Sequence, residues 1–175
     1  KLLIDEAHAF GVMGPEGRGE SFGLKEPVSI ISGTFGKAFG SGGAFLATDK
    51  ITGENLIQNC GAFRYTTALA PPLCASALAA LNLIKSNPSW GIKLKDKSIA
   101  LRDKLSQIGW QRPVGGGPII SIILGSDELA MDYQKRLEAH GLLTVAIRPP
   151  TVPEGKSRLR LVIRRNTPVQ AFERL

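Results

Sequence analysis

Three short runs of apolar residues near the start of the chain constrain its fold more than any other feature. They cover Leu2–Asp5, Val28–Ser32 and Gly43–Thr48. Each run is apolar on both faces, which is typical of buried strands in a parallel sheet. Helical patterns follow the third run, so the alternation of strands and helices predicts an α/β fold.

Two helical patterns complete this half of the chain. The first covers Thr52–Phe63, with Thr52 as its N-cap and Glu54 in its first turn. The second begins at Pro71 and runs to about Ser86. Because the second is rich in Ala and Leu, we expect it to be a buried helix.

The segment Asn87-Pro88-Ser89 is the best candidate for a domain boundary, because it interrupts the helical pattern and the composition changes after it. The sequence beyond it predicts a small α+β domain. Its predicted elements are helices over Ile92–Ile108 and Asp127–His140 and strands over Ile119–Leu124, Val145–Arg148 and Leu159–Ile163. We expect the chain to be a piece of a longer protein, since Lys1 leads directly into an apolar run and residues 168–175 resemble the start of a helix.

The composition favours some partners over others. The net charge is +7, and the positive residues are spread along the chain, which is typical of a solvated surface and suits a phosphate-bearing substrate better than nucleic acid. No signal peptide or membrane span is predicted. Cys60 and Cys74 lack the spacing of a metal site, and their apolar surroundings predict reduced core thiols in a cytoplasmic protein. We therefore expect neither nucleic acid nor a membrane as a partner.

Residues that could carry chemistry follow the first two apolar runs. Asp5 ends the first run, His8 comes three residues later, and Lys37 lies beyond the second run. The carboxyl ends of neighbouring parallel strands are where α/β proteins place ligand groups. A lysine and an acid are what pyridoxal phosphate (PLP) requires, because it forms a Schiff base and its pyridine nitrogen is kept protonated by a nearby carboxylate. An imidazole could bind the ring's phenolic oxygen.

Lys37 is the strongest candidate for a nucleophile. Gly36 and Gly40 would let the backbone approach a flat ring closely. The phenylalanines beside it predict an apolar, partly desolvated setting, which frees a lysine amine. Thr34 offers a hydroxyl to a phosphate or ring oxygen. The alternatives are an exposed loop lysine, an acid that only caps a loop and a structural histidine.

The segment Asp5-Glu6-Ala7-His8 also fits a different class, the helicase-type ATPases, in which such a motif holds magnesium. That function requires a phosphate loop of the form GxxxxGK[ST]. Here Gly36-Lys37 is followed by Ala38 and comes after the acidic motif. This order disfavours an ATPase unless a phosphate loop lies upstream of this chain.

Taken together, the motifs resemble those of the α-oxoamine synthases, a family of PLP enzymes with the aspartate-aminotransferase fold (fold type I). The matching segments, in order, are Asp5-Glu6-Ala7-His8, Gly14-Pro15-Glu16-Gly17-Arg18-Gly19, Thr34-Phe35-Gly36-Lys37 and Tyr65-Thr66-Thr67. The resemblance spans nearly the whole chain. It implies that residues 1–87 are the C-terminal part of the PLP-binding large domain and residues 88–175 a small C-terminal α+β domain, truncated at its end.

The resemblance also implies roles for single residues. Lys37 would form the Schiff base and remove the α-proton, Asp5 would pair with the pyridine nitrogen and His8 would contact the 3-oxygen. Thr34 would bind near the phosphate. Thr66–Thr67 would reach the phosphate in the partner subunit's site, which implies a homodimer with shared active sites; the alternative is that they only cap the next helix. Because the family's upstream half is not in this chain, we expect these residues alone to be inactive.

The tail of the chain separates branches of this family. Ala146–Pro153 and Ser157–Leu161 resemble the branch that condenses L-alanine with pimeloyl-CoA, or its carrier-protein equivalent, to 8-amino-7-oxononanoate in biotin synthesis. Arg148 would then bind the amino-acid carboxylate, held by the prolines after it, and Thr151 would contact substrate. The alternatives are glycine C-acetyltransferase and an inactive scaffold subunit, against which Lys37 argues.

Overall fold

The computed structural model describes residues 1–174, which divide into two compact units, one over Lys1–Gly91 and one from Ile92 onward. The elements of the first unit are β1 Leu3–Asp5, β2 Ile30–Thr34, β3 Ala44–Thr48, α1 Lys50–Asn59, α2 Gly61–Arg64 and α3 Pro71–Ser86. The elements that follow are α4 Trp90–Gln107, β4 Ile119–Gly125, α5 Asp127–Ala139, β5 Val145–Ile147 and β6 Ser157–Val162. Over the described residues, none of the helices has both the length and the apolar composition needed to cross a membrane.

The strands of the first unit form one sheet in the order β1-β2-β3. β1 and β2 are parallel, with Asp5 opposite Ser32. β3 is antiparallel to β2, with Phe45 opposite Gly33, so the expectation of parallel strands is wrong for β3. The connection over residues 35–43 is a tight loop, whereas a parallel connection needs a longer crossover that is usually helical.

Gly33 and Phe45 lie in very close contact across these two strands. A Cβ atom on Gly33 would be 2.4 Å from Cζ of the Phe45 ring, so the ring fills the space that a side chain would need. Phe45 belongs to a cluster of four rings with Phe10, Phe35 and Phe39, in which neighbouring centroids lie 5.0–5.4 Å apart. The four rings line an apolar cavity of about 410 Å³ together with residues of α3.

The pattern over Thr52–Phe63 corresponds to two helices in the structure. α1 begins earlier, at Lys50, because the Asp49 carboxylate accepts a hydrogen bond from Thr52 N–H at 2.9 Å and is the N-cap. Hydrogen bonds from Thr52, first from its backbone and then from its hydroxyl, lower the pKa of Asp49. The extended backbone of Cys60 separates α1 from α2.

The prediction for α3 is confirmed in its bounds but wrong in its burial. Ala77 is its buried residue within the described structure, whereas Leu78 and Leu83 are 59% and 56% exposed. Cys74 on this helix is exposed and Cys60 is half-buried, and both are free, so the prediction of core thiols is also wrong. Richness in Ala and Leu indicates an apolar helix, but burial requires a covering segment, and the described residues leave this surface open.

The second unit is built on an antiparallel sheet in the order β4-β6-β5. β6 is the central strand, and its residues alternate between buried and less buried positions. The apolar core includes side chains from α4, α5, the sheet and the C-terminal turn: Leu101, Leu105, Ile120, Ile122, Leu137, Leu159, Leu161, Ile163 and Phe172. These elements agree with the predicted α+β pattern to within about two residues at each end.

One charged side chain lies beside this core. Arg102 on α4 is 1% exposed, and its guanidinium donates hydrogen bonds to the carbonyls of Ser98 at 3.2 Å and Ile119 at 2.9 Å. The buried Ser98 hydroxyl donates to Gly117 O at 2.6 Å and accepts from the Arg102 guanidinium. Burial, and to a smaller extent the charge of Arg112, lowers the pKa of Arg102. This network ties α4 to β4 and the segment before it.

Candidate active site

The Asp5 carboxylate lies at the exposed end of β1. Its Oδ1 atom accepts a hydrogen bond from Ala7 N–H at 2.9 Å, which closes a tight turn after the strand. The Asp5 side chain is exposed. His8 is an exposed residue in the same turn. Asp5 therefore presents a carboxylate oxygen that a ligand could use.

Glu6, between these two residues, was not expected to matter from the sequence. Its side chain is 2% exposed, and its carboxylate accepts hydrogen bonds from the backbone N–H groups of Glu20, at 3.1 Å, and Ser21. The only local signal for it is an acid placed directly after a short strand whose residues are exposed or half-buried. Its partners lie 14 and 15 residues away, and no short motif predicts such a contact.

Lys37 lies in the tight loop that joins β2 to β3. Two backbone hydrogen bonds close this loop, from Phe35 N–H to Gly43 O and from Ser41 N–H to Phe35 O, both at 2.9 Å. Within it, Gly40 N–H donates to Lys37 O at 3.0 Å. Gly40 and Gly43 have φ values of 57° and 94°, which only glycine adopts readily. The sequence Gly-Lys-Ala-Phe-Gly therefore forms a loop with a defined hydrogen-bonded backbone.

The Lys37 side chain is exposed, so the predicted desolvated setting is not present in the described structure. The neighbouring rings of Phe35 and Phe39 pack into the aromatic cluster instead, and Phe39 is only 5% exposed. Those rings therefore pack beneath the loop and stabilise it, and they do not cover the Lys37 amine.

The parallel pairing of β1 and β2 brings three predicted residues to one edge of the sheet. Asp5 pairs with Ser32, and Thr34 and the loop with Lys37 follow directly at the carboxyl end of β2. The Thr34 hydroxyl donates to Gly43 O and accepts from Gly36 N–H, both at 3.1 Å. Thr34 therefore helps to order the loop, and its contact with a phosphate stays a prediction.

Thr66 and Thr67 lie between α2 and α3, in a stretch of residues 61–70 that is exposed throughout. The Thr66 hydroxyl donates to Ala62 O at 3.0 Å. α3 begins after Ala70 and has no side-chain cap, so the alternative that these threonines cap α3 is wrong. Tyr65, next to them, is 80% exposed.

Arg148 and Thr151 belong to the second unit. Arg148 follows β5 directly, and Thr151 N–H donates to Arg148 O at 3.0 Å across Pro149-Pro150, whose peptide bond is cis. Both side chains are exposed. The hydrogen bond across this turn fixes the backbone position of Arg148. The contact of the Arg148 side chain with a carboxylate stays a prediction.

The residues of the first unit fit PLP on two observations. The Asp5 carboxylate and the Lys37 amine are both exposed near the same sheet edge. A Cβ atom on Gly40 would meet no atom within 4 Å, so there is open space beside the lysine loop. A carboxylate and a lysine amine are the donor set that the cofactor needs.

Comparisons with known proteins agree with these features. Residues 1–174 match the model of the family described as aminotransferase class I and II. Among curated proteins, the 8-amino-7-oxononanoate synthase of Methylobacillus flagellatus is 41% identical over 162 residues, which are 91% of this chain and 41% of that protein. The chain therefore spans about two fifths of the length of the curated relatives that it matches.

Solved structures superpose on nearly the whole chain. The 8-amino-7-oxononanoate synthase of Francisella tularensis matches 99% of this chain and 52% of its own, with a TM-score of 0.87 and 29% identity. A serine palmitoyltransferase from S. paucimobilis with a bound PLP–myriocin aldimine matches 98% of this chain and 44% of its own, with a TM-score of 0.87 and 27% identity. The predicted fold type I architecture and the resemblance to α-oxoamine synthases are confirmed. The chain belongs to the aminotransferase class I and II family.

Proposed function

We propose that this chain is the C-terminal part of a PLP-dependent acyltransferase that condenses L-alanine with a pimeloyl thioester to 8-amino-7-oxononanoate. The thioester is pimeloyl-CoA or the carrier-protein equivalent, and the thiol and carbon dioxide leave. In this proposal, residues 1–87 belong to the cofactor-binding domain and residues 88–175 to the small domain of a cytoplasmic enzyme. The names of the curated relatives support the reaction. The resemblance of the segment Arg148-Pro149-Pro150-Thr151 to the branch that uses L-alanine supports alanine as the amino acid.

The observation that carries this proposal is the shared sheet edge of Asp5 and the Lys37 loop. The parallel register of β1 and β2 places an acid and an amine at neighbouring strand ends, where both side chains are exposed. Neighbouring parallel strands of α/β proteins present ligand groups at their carboxyl ends. The helicase-type alternative has no support here, because the chain after Gly36-Lys37 continues into β3, whereas a phosphate loop must open a helix.

When bound, PLP supplies a carbonyl that reacts with amines and a pyridinium ring that stores an electron pair. The Lys37 amine would hold the cofactor and then accept the α-proton of alanine at Nζ. The Asp5 carboxylate would keep the ring nitrogen protonated, since an opposite charge at short range favours the charged form. His8 would hydrogen-bond the ring oxygen, and Thr34 would bind near the phosphate.

The remaining residues would bind and orient the substrate. Arg148 offers a planar fork of donors that matches a carboxylate, and Thr151 adds a hydroxyl in the same turn. The positive charge of the chain suits the phosphates of CoA. Glycine C-acetyltransferase stays the alternative within the family, since enzymes for different amino acids share this fold.

The proposal includes a homodimer with shared sites. The exposed stretch over residues 61–70 supports it, because Thr66 and Thr67 lie on a surface that the described residues leave open. The Thr66 hydroxyl, which donates to Ala62 O, would have to turn toward the phosphate. Such a surface is available to the phosphate of a neighbouring subunit's cofactor. An isologous contact would then build two equal sites per dimer.

The test uses the full-length protein with the substitution Lys37→Ala. We expect the unchanged protein to bind PLP with a visible absorbance band and to release free thiol from pimeloyl-CoA only when alanine is present. Lys37→Ala should lose the band and nearly all of the thiol release. Lys50→Ala, an exposed lysine at the start of α1, is the matched control and should change neither. An unchanged protein that stays colourless with excess PLP would overturn the proposal.

A further inference from the structure

Glu6 is a buried carboxylate with an unusual set of partners. It is 2% exposed, although acidic residues are rarely buried unless their charge is compensated. Its two oxygens accept the backbone N–H groups of two successive residues, Glu20 and Ser21. Hydrogen bonds from backbone amides to a carboxylate are among the stronger ones in proteins. The Glu6 carboxylate is therefore held by the main chain of a loop that is remote in the sequence.

The backbone of Glu6 is held as firmly as its side chain. Its N–H donates to Ser32 O at 2.7 Å, which extends the pairing of β1 with β2 by one residue. Its carbonyl accepts from Ala9 N–H at 2.9 Å and Phe10 N–H at 2.8 Å, which forms the turn that contains His8. These three backbone hydrogen bonds hold the segment that runs from the end of β1 through the turn with His8.

The direction of the Glu6 side chain also determines the direction of its neighbour. Successive side chains of an extended segment point to opposite sides. Because Glu6 points inward and is anchored there, Asp5 must point outward, where it is exposed. A rotation of the segment that exposed Glu6 would bury Asp5.

The loop that binds Glu6 is shaped to receive it. Gly19, directly before the two donor residues, has a φ of 94°, and a Cβ atom there would lie 2.8 Å from the Glu6 carboxyl carbon. The glycine therefore leaves room for the carboxylate and lets the loop turn around it. Gly19, the last residue of the Gly14–Gly19 segment, is therefore needed at this contact.

We propose that Glu6 is a positioning residue for Asp5 and His8, acting through the main chain of β1 and the following turn. This inference rests on the proposed PLP site, because its purpose is to hold Asp5 toward the ring nitrogen. A glutamine in its place can accept only one of the two N–H groups and brings its own N–H₂ against the other. That mismatch would loosen the segment, and Asp5 would lose its alignment.

The experiment compares Glu6→Gln and Glu20→Gln in the full-length protein. Glu20 is exposed and lies in the same loop, so its substitution removes the same charge without touching the Glu6 carboxylate. One readout is the dissociation constant of PLP. The other is the ¹⁵N chemical shift of ¹⁵N-labelled PLP, which reports whether the ring nitrogen is protonated. Asp5→Asn provides the reference for a lost acid, and Glu6→Asp keeps the charge but shortens the reach.

We expect Glu6→Gln to weaken PLP binding by about tenfold, as for one misaligned charge-assisted hydrogen bond, and to move the ¹⁵N shift toward that of Asp5→Asn. Glu20→Gln should match the unchanged protein. If Glu6→Gln does not fold, Glu6→Asp should show the same change in smaller degree. A folded Glu6 variant with an unchanged ¹⁵N shift overturns the inference while the proposed function stands. Failure of the unchanged protein to bind PLP would instead overturn the function and this inference with it.

Discussion

The proposed chemistry depends on a few charged residues, which differ in their exposure to solvent. Asp5, Lys37 and Arg148 are exposed, whereas Glu6 is buried and fully engaged. Exposed charges interact weakly in water and become effective only when a ligand excludes solvent. The three exposed residues are therefore suited to a ligand, and Glu6 is suited to hold the backbone.

Replacing Arg148 should impair the use of alanine. Arg148→Ala in the full-length protein removes the guanidinium proposed to bind the amino-acid carboxylate. The resulting fall in kcat/KM for alanine should correspond to a loss of roughly 2–4 kcal/mol in the free energy of transition-state binding. Lys156→Ala removes one exposed positive charge nearby and is the control. Steady-state kinetics with alanine varied at saturating pimeloyl-CoA measure the effect. Equal alanine kinetics in both variants would remove Arg148 from the site.

The sequence predicted some of these residues and not others, for physical reasons. Asp5 and Lys37 follow apolar runs, and strand ends are readable from such runs, so their shared edge was predictable. Glu6 was missed because its burial depends on amides that lie 14 and 15 residues away. The exposure of Lys37 was missed because Phe35 and Phe39 pack with other rings, and a sequence does not show which way neighbouring side chains turn.

Among the elements, α4 depends on polar contacts as well as on apolar ones. Its residues Leu101 and Leu105 enter the core, while Ser98 and Arg102 bond to carbonyls outside the helix. Buried polar groups of this kind are costly when one partner is removed, because the other is left without a hydrogen bond. Ser98 is therefore a sensitive position despite its small side chain.

Replacing Ser98 with alanine should destabilise the fold. Ser98→Ala leaves Gly117 O without its donor and Arg102 with one acceptor fewer, which should cost about 1–3 kcal/mol in the free energy of unfolding. Ser106→Ala on the same helix changes an exposed serine and should have little effect. Chemical denaturation of the two full-length variants, followed by tryptophan fluorescence, gives the comparison. Equal midpoints for both variants would contradict the role assigned to Ser98.

Element bounds were predictable to different degrees. The bounds of α3 agree with the prediction because its two prolines define the start. The start of α1 was misplaced, since Asp49 and Thr52 are both good N-caps and only the structure shows which one accepts the hydrogen bond. The direction of β3 was missed because an apolar run on both faces is typical of parallel strands, whereas the short loop over residues 35–43 joins two antiparallel strands.

For the molecule as a whole, each proposed cofactor site is complete only in the dimer, because residues of both subunits contribute to it. The Lys37 loop and the Thr66–Thr67 segment lie in the same chain, but the proposal assigns them to different sites. Mixed subunits can therefore separate their roles in a way that single variants cannot.

Complementation between two inactive variants tests this assignment. Lys37→Ala is one variant, and Thr66→Ala with Thr67→Ala is the other. If sites are shared, each heterodimer contains one site free of both defects, so activity should return in part after subunit exchange. Each variant incubated alone is the control, and native mass spectrometry confirms the exchange. Exchange without recovered activity would mean that the threonines act within their own subunit or outside the site.

The close contact of Gly33 with Phe45 has a consequence for how this sequence can vary. Gly33 does not have a positive φ, and the atoms nearest to a Cβ at this position all belong to the Phe45 ring. Gly43 differs, because its φ of 94° restricts it even if the leucine at position 69 were made smaller. Two glycines in neighbouring strand and loop positions thus evolve under different constraints. A side chain at position 33 would require a smaller residue at position 45, whereas position 43 is restricted by its own backbone.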